Sequence, residues 1–265
     1  MLLATWNVNS LLARLERVTA WLERRRPDIV CLQETKCPDE AFPRQALLDV
    51  GYHACTSGQR GRNGVAILSR TPPECVVTAL PAAAEDEDGQ SRFVSARAGD
   101  LDVISVYVPN GQGIGTEAYF YKLEWTARLL GHLRASFDPA RPLVLAGDFN
   151  ICPADIDVHA PEYYRNRLHC TEHERRALRY LEQWGFVDAL RHVRPDAAGL
   201  YSWFDYGAHS LRKNEGLRID LIYVTRPLVD RIDSVEIDLD ERSPKRSKTK
   251  PSDHAPVLMR LASAS

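Results

Sequence analysis

The feature that limits the fold of this chain most is a succession of short apolar runs of strand length. Gly, Pro and acidic turns separate most of them, and helical stretches only a few. Leu2–Trp6, Ile29–Gln33, Tyr52–Thr56, Val65–Ser69, Cys75–Leu80, Phe93–Ala98, Leu101–Val108, Pro142–Phe149, Arg218–Thr225, Val235–Leu239 and Pro256–Leu261 read as strands. Helical spacing appears in Leu11–Arg25, where Leu11, Leu15, Val18 and Leu22 share a face and Ser10 is the N-cap. It returns in Phe42–Val50, Glu117–Phe137 and Thr171–Gln183. A purely parallel sheet would need a crossover after each strand. Hairpin-length turns between these runs predict mixed sheets in an α/β (α+β) fold, in a single domain over residues 1–265.

Composition narrows the function. With 44% hydrophobic and 26% charged residues, the 265-residue chain can bury a core without disulfides or a structural metal. No apolar run approaches the roughly 18 residues of a membrane span. The start, Met1-Leu2-Leu3-Ala4-Thr5-Trp6-Asn7, is no signal peptide, so a cytoplasmic protein without a membrane partner is expected. The six cysteines include no CxxC pair, and reduced thiols are expected. A net charge of −2 means that any polyanion must be met by a local basic surface. Arg242–Lys250 offers one, and Glu85-Asp86-Glu87-Asp88 reads as a solvated turn.

Polar side chains gather at the strand ends. Asn7, Glu34, Asn110, Asp148 with Asn150, Asp220, and Asp253 with His254 each close or open an apolar run. Such a position fixes a side chain while leaving its tip at a sheet edge. In Gly147-Asp148-Phe149-Asn150, strand alternation would point Asp148 and Asn150 together and Phe149 into packing, although an Asx turn would use the same residues. Carboxylates and amides without a His or Cys cluster suit a hard cation such as Mg²⁺, with Mn²⁺ able to substitute. Such an ion works most often on phosphate. Asn7, Asn150 and His254 can donate hydrogen bonds, Asp148 can take a proton from water, and Asp220 can orient an imidazole. The i, i+4 pair His169 and His173 is given no metal, because the capping box of Thr171 with Glu174 opens a helix that leaves His169 outside it.

These residues sit in longer blocks: Thr5-Trp6-Asn7-Val8-Asn9-Ser10, Leu32-Gln33-Glu34-Thr35-Lys36, Tyr107-Val108-Pro109-Asn110-Gly111, Gly147-Asp148-Phe149-Asn150, Leu217-Arg218-Ile219-Asp220 and Pro251-Ser252-Asp253-His254-Ala255-Pro256-Val257. In content and order they resemble the exonuclease III family of apurinic/apyrimidinic endonucleases. The resemblance implies a four-layer αββα sandwich of two packed mixed sheets flanked by helices, with the active site at one end. It implies Mg²⁺ at Glu34, with Asn7 beside it and Asp253 as a further ligand. Asp148 would position or deprotonate the attacking water, and Asn150 would hold that water or a phosphate oxygen. His254, oriented by Asp220, and Tyr107 would contact the scissile phosphate. Whether Asp148 or Tyr107 activates the nucleophile, and whether one ion or two act, stays open.

The implied substrate is double-stranded DNA carrying abasic sites or blocked 3′ ends, cut by a monomer 5′ to the lesion, with 3′–5′ exonuclease and 3′-phosphatase activity as companions. Trp203, Leu217 and Ile219 would line a pocket for the baseless sugar, with Asn110 and Lys36 also at the substrate. Arg60, Arg62, Lys122 and the Arg242–Lys250 run would meet the backbone. Two other readings compete: a DNA-damage-binding module with little turnover, and a phosphatase of the wider superfamily acting on a non-DNA phosphoester.

Overall fold

The computed structural model describes residues 1–80, 89–207 and 209–263, without the side chains of residues 75 and 76. The acidic run Glu85–Asp88 lies outside the described residues. Among the described residues, twelve strands form two six-stranded sheets. The first holds β1 (Leu2–Asn7), β2 (Ile29–Gln33), β3 (His53–Ser57), β4 (Val65–Ser69), β11 (Ile232–Ile237) and β12 (Val257–Leu261), in the order β11-β12-β1-β2-β4-β3. The second holds β5 (Glu74–Val77), β6 (Phe93–Ala98), β7 (Leu101–Tyr107), β8 (Leu143–Asp148), β9 (Phe186–Asp188) and β10 (Asp220–Thr225), in the order β5-β6-β7-β8-β10-β9. In each sheet one central pair is parallel, β1 with β2 and β7 with β8, and the flanking pairs are antiparallel. The sheets are mixed, as the turn pattern predicts.

Alternation along the strands builds the layers. On β1, Leu3 packs between the sheets, while Leu2, Ala4 and Trp6 face outward onto Val18, Trp21 and Leu22 of the helix Leu15–Arg25. On β8, Val144 and Ala146 face the other sheet. Leu143 and Leu145 meet Trp125, Leu129 and Leu133 of the helix Glu117–Ser136, and Leu178 and Leu181 of the helix Glu172–Trp184. Helix, sheet, sheet and helix are thus stacked on apolar seams, the four-layer arrangement expected. Gly147 belongs to this packing: a Cβ there would lie 2.0 Å from the Val106 carbonyl oxygen of β7. The close approach is made by a neighbouring strand.

The sequence reading misses β9, a strand of three residues. Cys31, Cys37, Cys152 and Cys170 are free and buried, but Cys55 is disulfide-bonded, against the expectation of reduced thiols throughout. Among the described residues, no helix is long and apolar enough to cross a membrane.

Candidate active site

The C-terminal ends of β1, β2, β7 and β8 and the N-terminal ends of β10 and β12 meet at one end of the sandwich. Their loops share one local device. Asn9 N–H donates to Asn7 Oδ1 (3.0 Å), Asn150 N–H to Asp148 Oδ1 (2.9 Å), and Gln112 N–H to Asn110 Oδ1 (3.1 Å). In each turn the last residue is left-handed, with φ of 45° at Asn9, 51° at Asn150 and 51° at Gln112. Asx turns of this kind favour Asn and Asp, and left-handed backbone costs about 1–3 kcal/mol where glycine is absent. Glu34 and Lys36 are left-handed as well (φ 50° and 53°), so the strain concentrates around the polar cluster. Val8 and Phe149, between the paired polar residues, are fully buried.

Glu34, Asp148 and His254 converge, with one ligand atom from each inside 4.8 Å of the others. Asn7 Nδ2 bridges the carboxylates, donating to Glu34 Oε1 (2.8 Å) and Asp148 Oδ2 (2.9 Å). His254 Nδ1 faces Asp220 Oδ2 at 2.8 Å, and Nε2 lies 3.8 Å from Asp148 Oδ2. Burial, reinforced by Asp220 and Glu34, pushes Asp148 up to about 7, against the pull of His254 and Asn7. Burial works against charge on His254, but the Asp220 and Asp148 carboxylates outweigh it and raise the ring to about 10. Burial also opposes ionisation of Glu34; hydrogen bonds from Lys36 and Asn7 overcome it and hold the carboxyl below its ordinary value. The Tyr107 phenol is raised far above its usual range by burial, then by Glu34 and Asp148.

The sequence-predicted residues therefore gather, with differences in role. Asn7 presents its Nδ2 to the carboxylates of Glu34 and Asp148, while its Oδ1 accepts from the Asn9 N–H of the turn. Asp253 is outside the trio: Oδ1 accepts from Asn9 Nδ2 (2.9 Å) and Oδ2 from Trp203 Nε1 (3.2 Å). Lys36 Nζ is held by Glu34 Oε2 (2.8 Å) and Asn9 Oδ1 (2.7 Å). Trp203 and Leu217 line an open cavity of about 430 Å³ with Ile114, Tyr163, Arg167 and His169. Ile219 does not line it; it is buried below with Cys152, Val158 and Cys170. On the other side, Tyr107 and Asn110 line a cleft of about 470 Å³ with Arg62 and Arg92.

Two expected DNA-facing cations are interior. Lys122 is fully buried against Glu174, and Arg242 is buried, donating to the Ser252 and Phe204 carbonyls. Arg60, Arg62, Lys245, Arg246, Lys248 and Lys250 are exposed, as a DNA-facing rim requires. The capping box forms between Thr171 and Glu174, and His169 stays outside the helix, its Nδ1 on the Asn150 carbonyl (2.6 Å). The sequence reading also gives no role to Arg218, whose Nε meets Asp157 Oδ1 (2.6 Å) and Nη2 meets Asp188 Oδ2 (2.7 Å) in the interior. An arginine at the head of the apolar run Arg218–Thr225 was its signal, but the partners lie 61 and 30 residues away.

A profile of the Endonuclease/Exonuclease/phosphatase family matches residues 4–254. Exodeoxyribonuclease III of Haemophilus influenzae is 36% identical, covering 96% of this chain and 97% of its own. The structure of an AP endonuclease from Archaeoglobus fulgidus superposes with a TM-score of 0.92 at 38% identity, over 98% of this chain and 99% of that one. A 3′-5′ exonuclease from Neisseria meningitidis does so with 0.92 at 40% identity, over 99% and 100%. The Neisseria protein has also been solved as a 3′ phosphatase bound to a product DNA hairpin.

Proposed function

The chain belongs to the endonuclease/exonuclease/phosphatase family and is a metal-dependent DNA-repair nuclease; from that premise we propose that Mg²⁺ serves it and that it cuts duplex DNA 5′ to abasic sites. The convergence of Glu34, Asp148 and His254 within 4.8 Å carries this reading. The trio divides by charge. Glu34, the lowered carboxyl, is the residue to hold the ion, and its hard oxygens fit Mg²⁺ or Mn²⁺. Against burial, the Asp220 and Asp148 carboxylates favour the charged form of His254, which suits it to donate to the phosphate and leaves the ion to the carboxylates. When bound, the ion would neutralise charge on the phosphate and on the leaving 3′ oxygen.

The chain's own residues supply the rest. Asp148, poised near neutrality, takes a proton from the attacking water, its oxygens aimed by Asn7 Nδ2 and the Asn150 N–H. His254, kept charged by Asp220, presents Nε2 as a charge-assisted donor to the phosphate. The raised Tyr107 phenol keeps its proton and donates to the same phosphate, which favours Asp148 as the base. Trp203 and Leu217 receive the baseless sugar, while the exposed Lys245, Lys248 and Lys250 meet the backbone of DNA bound by a monomer.

A second reading, 3′-end trimming as the main activity, is favoured by the polar His169 ring in the pocket wall and by the likeness to a 3′-5′ exonuclease. One assay weighs both: an internal abasic duplex, a recessed duplex and a duplex with a 3′-phosphate, each with Mg²⁺ and with EDTA. Abasic incision that requires metal and falls by about 10²-fold or more in Asp148→Asn, with DNA binding kept, is expected. Incision that survives EDTA or Asp148→Asn would overturn the reading, and cutting confined to 3′ ends would transfer it to the second.

A further inference from the structure

Behind Asn110 and Asn150 lies a buried charge that the chemistry above does not use. Lys122, in the helix Glu117–Ser136, is 0% exposed. Its ammonium has three hydrogens. One goes to Glu174 Oε1, one to the Asn150 carbonyl (2.6 Å) and one to the Asn110 carbonyl (3.2 Å). Glu174 is equally buried and accepts further from Thr171 N–H (3.0 Å), Thr171 Oγ1 (2.8 Å) and His169 N–H (3.1 Å). His169 Nδ1 then donates to the same Asn150 carbonyl (2.6 Å). Two donors thus converge on one carbonyl of a residue held at φ 51°. The chain also makes room for the lysine stem: at Gly111, itself at φ 91°, a Cβ would come 3.1 Å from Lys122 Cδ.

Burying an ion pair gives little net stability, and apolar residues of similar volume often do as well or better. A structural role alone therefore explains the pair poorly. What the ammonium does distinctively is bind the loop after β7 to the loop after β8. Their side chains meet in front of it, Asn110 Nδ2 donating to Asn150 Oδ1 (3.1 Å), and the Asn150 N–H donates to Asp148. We propose that Lys122, with Glu174 and His169 behind it, is a positioning residue that fixes Asn110 and Asn150 against the phosphate through their carbonyls. This inference rests on the nuclease reading above.

The test is a double-mutant cycle on the full chain with Mg²⁺ and an abasic or 3′-blocked duplex, whichever the wild type cleaves. Lys122→Met should lower kcat roughly ten- to hundredfold with KM within about threefold, because a displacement of about 1 Å costs that much. In the Asn110→Ala/Asn150→Ala background the same substitution should change kcat by less than about twofold, since both of its effectors are already gone. Lys122→Met/Glu174→Gln, which buries no net charge, guards against a folding defect. It should melt near the wild type and still show the kcat loss, and Lys122→Arg should recover part of it. Equal loss in both backgrounds, or kcat restored in the neutral pair, would reduce Lys122 to a structural part and overturn the proposal. So would a Lys122→Met enzyme within twofold of wild-type kcat. A wild type that cleaves no DNA would instead sink the nuclease reading, and this inference with it.

Discussion

Asp220→Asn isolates the charge on His254 from its orientation. The asparagine keeps an oxygen facing Nδ1, where the carboxylate now sits at 2.8 Å, so the ring should hold its place while the countercharge is lost. In the wild type the ring is raised from 6.5 to about 10, which corresponds to something on the order of 5 kcal/mol in favour of the imidazolium. That is a net value, because burial pulls the other way and Asp220 is the larger of the two carboxylates that overcome it. Removing an opposite charge at this distance lowers a titration by about 1–3 units. The midpoint should fall to roughly 7–9. Proton loss above it removes the charged donor to the phosphate. The kcat/KM of the variant should then decline about tenfold per pH unit above the new midpoint, while the wild type, once Asp148 has ionised above about pH 7, stays level to about pH 9. The assay is kcat/KM on the cleaved duplex at saturating Mg²⁺ from pH 6 to about 9.5, paired with an NMR titration of the imidazole in metal-free protein. An Asp220→Asn profile parallel to the wild type, despite a lowered imidazole midpoint, would show that the charge on His254 plays no part in turnover.

Other perturbations test the remaining parts. Burial first, then Asp220, raises Asp148 to about 7; it stands beside Glu34 across Asn7, so its protonation removes negative charge next to the ion and Mn²⁺ affinity by calorimetry should weaken as pH falls below that value. A flat affinity from about pH 6 to 8, one unit to either side, would separate the charge of Asp148 from the metal. Replacing the exposed Lys245, Lys248 and Lys250 by Ser should flatten the salt dependence of DNA binding by about 0.9 for each phosphate no longer neutralised; an unmoved slope would make that run simply solvated. Arg218→Met leaves Asp188 buried without its cation and Asp157 with Arg191 alone, and should cost about 3–5 kcal/mol in chemical denaturation. Burial pushes Asp157 up, yet Arg218 and Arg191 hold it below its ordinary value. Its stabilisation is therefore present above the unfolded value near 4 and lost as pH falls through the folded one, and the acid-unfolding midpoint of Arg218→Met should move to higher pH.

The layers were legible because the apolar period is strict. Leu2, Ala4 and Trp6 point one way and Leu3 the other, and eight of the strand-like runs, such as Ile29–Gln33 and Val65–Ser69, lie within a residue of the observed elements at both ends. The helix Glu172–Trp184 was marked at its start by the Thr171 and Glu174 box. The short strand Phe186–Asp188 carried too little pattern to be seen. Basic residues were the weak point, since a lysine or arginine reads as solvated unless its partner is known. Lys122 and Glu174 are 52 residues apart, and Arg242 reaches carbonyls of residues 204 and 252. No local window contains such a pair.

Strand alternation predicts the gathering of polar residues at the rim, but the fold achieves it by another route. Alternation along a strand was to bring Asp148 and Asn150 together, yet β8 ends at Asp148 and Asn150 is left-handed beyond it. The residues meet because Asp148 accepts the backbone N–H of Asn150, and Asn7 does the same for Asn9. The structural Asx turn and the functional pair are therefore one object. An Asp or Asn at a strand end offers one oxygen to stop the strand, and its other polar atom remains free to face the site. Asp148 shows the division most plainly: Oδ1 holds the turn, while Oδ2 takes Asn7 and faces His254. A substitution that spares the turn but changes the second oxygen, as Asp148→Asn does, should abolish turnover with little effect on the melting temperature. A large loss of stability in that variant would mean that the two roles share one oxygen after all.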